Sequence, residues 1–217
     1  MAAFFTLTLD TTAPSNVSIS IPSPSATRSV TATLSATDAT QMKIYGDIVS
    51  GGSAVTESTA NWEAYTTSKA IELATGDGVK VVKVKFRDDV GNESVEATAS
   101  VTLDMTAPVV TISPTPDRTT ISEVEGFNEC SFSFYADEDF TEFKVCVVTA
   151  SSSSHDVGTT IGMSNGSQNM SGAAGNYKKE QSISCVINAT DLKAASSGDG
   201  AKYIKIFVKD SLGNWSV

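Results

Sequence analysis

The only histidine, His155, is followed by Asp156 and preceded by four serines at 151–154. Serine, histidine and aspartate are the residue types of an acyl-transfer triad. Such a triad needs rigid mutual geometry and an oxyanion site. Here all of these residues fall in one Ser/Gly/Asn-rich stretch, SSSSHDVGTTIGMSNGSQNMSGAAGN at 151–176. A stretch of that composition cannot bury enough apolar surface to order itself. His155 is therefore expected to be a solvated loop side chain, and the chain is expected to be no enzyme. No phosphate-cradling glycine motif opens a helix, and no pair of histidines has metal-ligand spacing.

Carboxylates are the other chemistry on offer. Asp88, Asp104, Asp137 and Asp139 stand at candidate turns and at a linker, where calcium could gather hard oxygen ligands. No calcium-loop spacing accompanies them, so turn capping is the expected role and no cofactor is assigned. Three cysteines, Cys130, Cys146 and Cys185, lie in the second half. Their odd number and the lack of CxxC spacing argue against a disulfide framework and against zinc. Strand phase points Cys130 and Cys185 inward and Cys146 outward. A Cys130–Cys185 bridge requires those two strands to be neighbours. Trp62 and Tyr65 offer either a stacking pair for a sugar ring or an anchor for a long crossover.

The elements that must hold these residues are written twice. LTLDTTAP at 7–14 returns as VTLDMTAP at 101–108. GDGVKVVKVKFRDDVGNESV at 76–95 returns as GDGAKYIKIFVKDSLGNWSV at 198–217. A repeat at that interval predicts a tandem array. Strict apolar/polar alternation predicts strands. Val30, Ala32, Leu34 and Ala36 face one way, and Cys130, Phe132, Phe134 and Ala136 answer them. Val82, Val84 and Phe86 are matched by Ile204, Ile206 and Val208. Lys83, Lys85 and Arg87 take the outward positions, as do Lys205, Phe207 and Lys209. Phe207 is thus expected to be an outward aromatic. Apolar-in, polar-out alternation on every strand is the pattern of two packed antiparallel sheets. The DxxGN phrases after the strongest strand read as tight turns, with Asp capping and Gly supplying positive φ.

These residues carry a resemblance. The LDxTAP phrase, the strand ending in DxxGN and the period of the repeat resemble bacterial immunoglobulin-like tandem repeats. Such repeats occur in large bacterial surface adhesins and in bacteriophage virion proteins. The resemblance spans about residues 7–217, apart from 151–176. It implies an all-β chain of two tandem immunoglobulin-like β-sandwich domains, with roles in spacing, display and adhesion. It implies no catalytic residue. The expected division is an N-terminal strand at 1–9, a first sandwich at 10–104 and a second at 105–217. The second carries the long polar loop at 151–176.

The strand inventory is offset by one. In the first copy DxxGN is followed by a last strand at 96–103, whereas in the second only three residues follow Asn214. Phe5, Leu7 and Leu9 match Ala99, Val101 and Leu103 in phase, as a last-type strand with no sandwich before it. An open sheet edge invites strand addition by another copy, giving a homo-oligomer. The competing expectations are that 1–9 lies on its own first domain or is simply frayed, or that the chain is part of a longer array. Interaction residues are therefore expected at Phe5, Leu7, Leu9, Trp62, Tyr65 and Phe207.

The charge narrows the partners. With 25 Asp+Glu against 15 Lys+Arg, the net charge is −10. Such a chain repels phosphate backbones and anionic lipid surfaces. No apolar run is long enough to span a bilayer. The start, MAAFFTLTLD, lacks the basic and apolar regions of a secretory signal. The first expectation is a bacteriophage virion accessory, decorating capsid or tail through other virion proteins, with weak cell-surface or glycan contact. The second is the stalk of a bacterial cell-surface adhesin.

Overall fold

Alternation becomes sheet wherever one face of a strand can be buried, and that happens in two separate places along this chain. The computed structural model describes residues 4–217. They divide into two units, Met1–Met105 and Thr106–Val217. Each is an immunoglobulin-like β-sandwich with its own core, the second carrying one short helix.

The first unit contains β1 (Ser15–Ser20), β2 (Ser29–Thr37), β3 (Gln41–Gly46), β4 (Ile48–Ser50), β5 (Ser53–Ala54), β6 (Glu63–Ala64), β7 (Ser68–Leu73), β8 (Gly78–Arg87) and β9 (Ala97–Leu103). One sheet runs β1-β2-β7-β4-β5 and the other β6-β3-β8-β9. Val30, Ala32 and Leu34 of β2 are buried while Thr31, Thr33 and Ser35 are exposed. Val82, Val84 and Phe86 of β8 meet them from the opposite sheet, fully buried. β9 closes the second sheet, placing Leu103 opposite Gly78 and Val101 opposite Lys80.

The second unit contains β10 (Val110–Ile112), β11 (Glu129–Ala136), β12 (Glu142–Val148), β13 (Thr159–Thr160), β14 (Ser171–Gly172), β15 (Ile183–Asn188), helix α1 (Ala189–Ala195) and β16 (Tyr203–Lys209). One sheet runs β10-β11-β15. In the other, β12 is flanked by β16 along its length and by the short β13 and β14. Phe134, Val145, Val208 and Met170 have no exposed surface. α1 is capped by Asn188, whose side-chain oxygen accepts from the Thr190 N–H.

Three expectations need correction. Residues 4–9 form no strand, and Phe4, Phe5, Leu7 and Leu9 are all at least 83% exposed; residues 1–3 lie outside the described part. Phe207 does sit on the outward face of β16, yet it is fully buried, packed with Cys146, Val148 and Trp215. Finally, the polar stretch at 151–176 is held in place. It contributes Ile161 and Met170 to the core, and these two side chains supply the apolar burial that its composition lacks.

Candidate functional site

The repeated DxxGN phrases build one structure twice. Asp88 accepts from the backbone N–H of Val90 and Asn92 on one carboxylate oxygen and from the Asn92 side-chain amide on the other. Asp210 accepts in the same way from Leu212 and Asn214. Gly91 and Gly213 carry the turn at φ +96° and +99°, a region open to glycine. The next serine then locks the turn to the preceding strand. The Ser94 hydroxyl accepts from Phe86 N–H, and the Ser216 hydroxyl accepts from Val208 N–H, each at 3.0 Å. The phrase is therefore DxxGNxS, a self-contained polar clasp around a strand end. The serine is the part of the phrase that turn chemistry alone does not predict, although its spacing is the same in both copies.

Burial alone would raise the Asp88 carboxyl, but hydrogen bonds from Asn92, Gly91 and Val90 outweigh it and hold the group below the usual aspartate range. A carboxyl with a lowered folded-state pKa stabilises the fold above its unfolded pKa and loses that contribution as pH falls through the folded value. Asp88→Asn is therefore expected to lower the melting temperature at neutral pH. The difference from the parent should close as the solution is acidified below the ordinary aspartate range. Thermal melts followed by circular dichroism across that range check this; a difference independent of pH would count against the clasp.

The remaining carboxylates are dispersed. Asp137 accepts from Val109 N–H, and Asp139 from Lys179 N–H and the Lys178 ammonium. Asp104 lies just past β9, its backbone N–H bonded to the Ser25 carbonyl. Among the described residues, no three histidine, cysteine or carboxylate groups come together as a metal site.

His155 is not presented to a serine. Its ring stacks on Trp215, centroids 4.8 Å apart and the planes nearly parallel, while the Ser154 hydroxyl donates directly to Asp156. Trp215 also lies over the ammonium groups of Lys144 and Lys209. The first unit has the counterpart. Trp62 covers Lys43 and Arg87, at 4.8 and 4.5 Å. In the repeat Lys43 corresponds to Lys144 and Arg87 to Lys209, but the two tryptophans come from unrelated places in the chain. Cation–π contact over the outward basic stems fixes each indole. Position in the repeat could not have revealed the pairing.

Trp62 and Tyr65 do not form one platform. Tyr65 packs edge-on against core Phe86, centroids 5.3 Å apart, and its hydroxyl accepts from Ala36 N–H. Tyr65 anchors the crossover before β7.

The cysteines are all free. β11 and β15 are neighbours, yet Cys130 lies opposite Ile187 and Cys185 opposite Phe132, an offset that keeps the two thiols apart. Cys146, outward in phase, is covered by the outer cluster of Phe207 and Trp215. Burial pushes the Cys185 thiol up to about 12. Iodoacetamide at mildly alkaline pH should therefore modify half-buried Cys130 first and leave Cys185 untouched until the protein is unfolded. Peptide mass spectrometry reads the order directly.

Each unit also has a concavity. One, about 970 Å³, opens in the first unit beside Ile44, Ile48 and Ile71. Its charged rim is already paired, Arg28 with Glu72 and Lys69 with Glu63. The other, about 750 Å³, runs along β16 and is lined by Ile112, Ile121, Phe132, Ile187, Ile204 and Ile206. Among the described residues no helix is long and apolar enough to cross a membrane.

No family model matches the chain, and no curated protein matches it. Solved structures give distant likenesses. Chitinase ChiA74 from Bacillus thuringiensis is 16% identical, with 92% of this chain and 30% of that chain covered and a TM-score of 0.34. The fibronectin(III)-like modules of Clostridium thermocellum CbhA are 11% identical, covering 92% and 89%, with a TM-score of 0.41. A tetra-tandem repeat from the extending region of a large adhesion protein is 19% identical, covering 93% and 47%, with a TM-score of 0.30. The chain thus spans under a third of the chitinase and under half of the adhesion-protein repeat. Similarity at this level assigns no activity; the fold stands on the chain's own sheets.

Proposed function

We propose that this protein is a non-enzymatic spacer and display element, two immunoglobulin-like modules in series, carried as an accessory on a bacteriophage particle. The observation that supports a spacer is the way the first unit is tied at its ends. The segment after β1 runs parallel to β9: Ser25 N–H donates to the Thr102 carbonyl, and Asp104 N–H donates to the Ser25 carbonyl. Tension on the two ends of that unit loads these bonds in shear, so both must break together. Polar side chains meanwhile serve the fold: Asp88 and Asp210 hold turns, and Asp191 holds a loop. The long ordered segment at 151–176 is the natural contact surface, since loops on rigid sandwiches often carry binding.

The same shear geometry suits a stalk module of a bacterial surface adhesin. Antibodies raised against the purified protein separate the two settings. Immunogold label on purified phage particles is expected. Label on the surface of uninfected cells, with none on particles, would replace the virion reading by the stalk reading.

A further inference from the structure

Residues 7–14 repeat the phrase that ends β9, and among the described residues the second unit has no strand in the place that β9 takes in the first. In the first unit β9 seals the outer edge of β8, and its Val101 and Leu103 are wholly buried. The corresponding phrase at 7–9 has the same apolar spacing, yet Leu7 and Leu9 are 83% and 86% exposed. In the second unit β16 takes the place of β8. It bonds β12 on one side, and among the described residues no strand lies along its other edge. The 750 Å³ groove, its isoleucine and phenylalanine lining bordered by Arg118, Asp199 and Lys202, runs beside that edge. Its lining from β10, β11 and β16 is what the inner face of a β9-like strand would cover.

We propose that residues 4–9 of one copy add as a strand along residues 200–205 of a second copy, the segment that leads into β16 (Tyr203–Lys209). The register follows from the repeat. Leu103 sits opposite Gly78 and Val101 opposite Lys80, which places Leu9 opposite Gly200, Leu7 opposite Lys202 and Phe5 opposite Ile204. Phe5, Leu7 and Leu9 then share the inward face and fill the groove between Ile112, Phe132 and Ile204. Backbone groups along residues 200–205 gain partners, while the far end of the β16 edge is already bonded by Trp215 and Ser216. The contact is heterologous, joining unlike surfaces, so it generates a ring or a head-to-tail filament.

The test is the mass of the full chain by light scattering from micromolar to millimolar concentration. The parent is expected to assemble as concentration rises, its average mass at least doubling. Leu7→Asp/Leu9→Asp is expected to stay monomeric; both side chains are exposed within the copy that carries them, so folding is not at stake. A second chain, with residues 96–103 appended after Val217, carries the strand in cis and is also expected to stay monomeric. A parent that remains monomeric throughout would overturn the proposal. So would assembly that survives either change, since the groove would then be irrelevant to it. Monomeric parent with a stabilised appended chain would assign the groove to following residues of a longer polypeptide instead.

Discussion

Phe134→Ala is expected to remove about 3–5 kcal/mol from the stability of the second unit. Phe134 has no exposed surface and sits on β11 between Ile112 of β10 and Ile183 of β15. Its ring meets Phe143 edge-on at 5.3 Å and Phe140 at 6.4 Å, so three aromatic rings interlock in the centre of the core. Truncation loses the transfer free energy of the ring and leaves a cavity that two flanking strands and two rigid rings cannot close. Each unit has one tryptophan, Trp62 or Trp215. In a Trp62→Phe background, Trp215 fluorescence therefore reports on the second unit. The urea midpoint is expected to fall by roughly 1–3 M, taking a denaturant slope of about 2 kcal/mol/M. A drop below a few tenths molar would mean that the site repacks and that the core is looser than described.

Gly46→Ala is expected to be nearly as damaging, for a different reason. Gly46 ends β3, and the chain leaves there for β4 in the other sheet. Its φ is +115°, outside the range that side chains accept, and an added Cβ would fall 2.4 Å from the Val81 carbonyl oxygen. The obstacle is backbone in the middle of β8, so it cannot swing aside. Asp47 completes the corner: its carboxylate accepts from Val81 N–H, and its own N–H donates to the Val81 carbonyl. A methyl group must therefore push β3 and β8 apart at the end of their pairing, where the chain leaves for the other sheet. The expected cost is about 2–4 kcal/mol, combining backbone strain with the lost corner bonds. Melting of the variant, followed through Trp62 in a Trp215→Phe background, measures it. A loss under half a kilocalorie would show that the corner yields.

Much of this architecture can be read without a structure. Strand phase depends only on the two-residue repeat of an extended backbone, so Val82, Val84 and Phe86 announce themselves as inward. The DxxGN turns are legible because their capping aspartate and positive-φ glycine are near neighbours in the chain. The outer face is less readable. Phe207 has outward phase and is buried all the same, because Trp215 and Cys146 close over it from other parts of the unit. Phase tells which side of a sheet a residue is on, and nothing of what lies beyond that side.

The long polar segment teaches the same lesson. Its composition signals disorder, yet Asp191 on α1 accepts from the backbone N–H of Asn165 and Ser167 and from the Asn165 side chain. Asn188 N–H in turn donates to the Ser167 hydroxyl. Composition averages over a stretch; two buried anchors, Ile161 and Met170, and one carboxylate are enough to override the average.

By itself the sequence determined that the chain is two related β units and which faces of their strands turn inward. Those are properties of spacing along the chain. Only the tertiary structure decided that the 151–176 segment is held, that His155 belongs to a tryptophan stack, and that an apolar groove lies along β16. Each of these depends on groups far apart in sequence meeting in space, and a local pattern of side chains contains no measure of that distance.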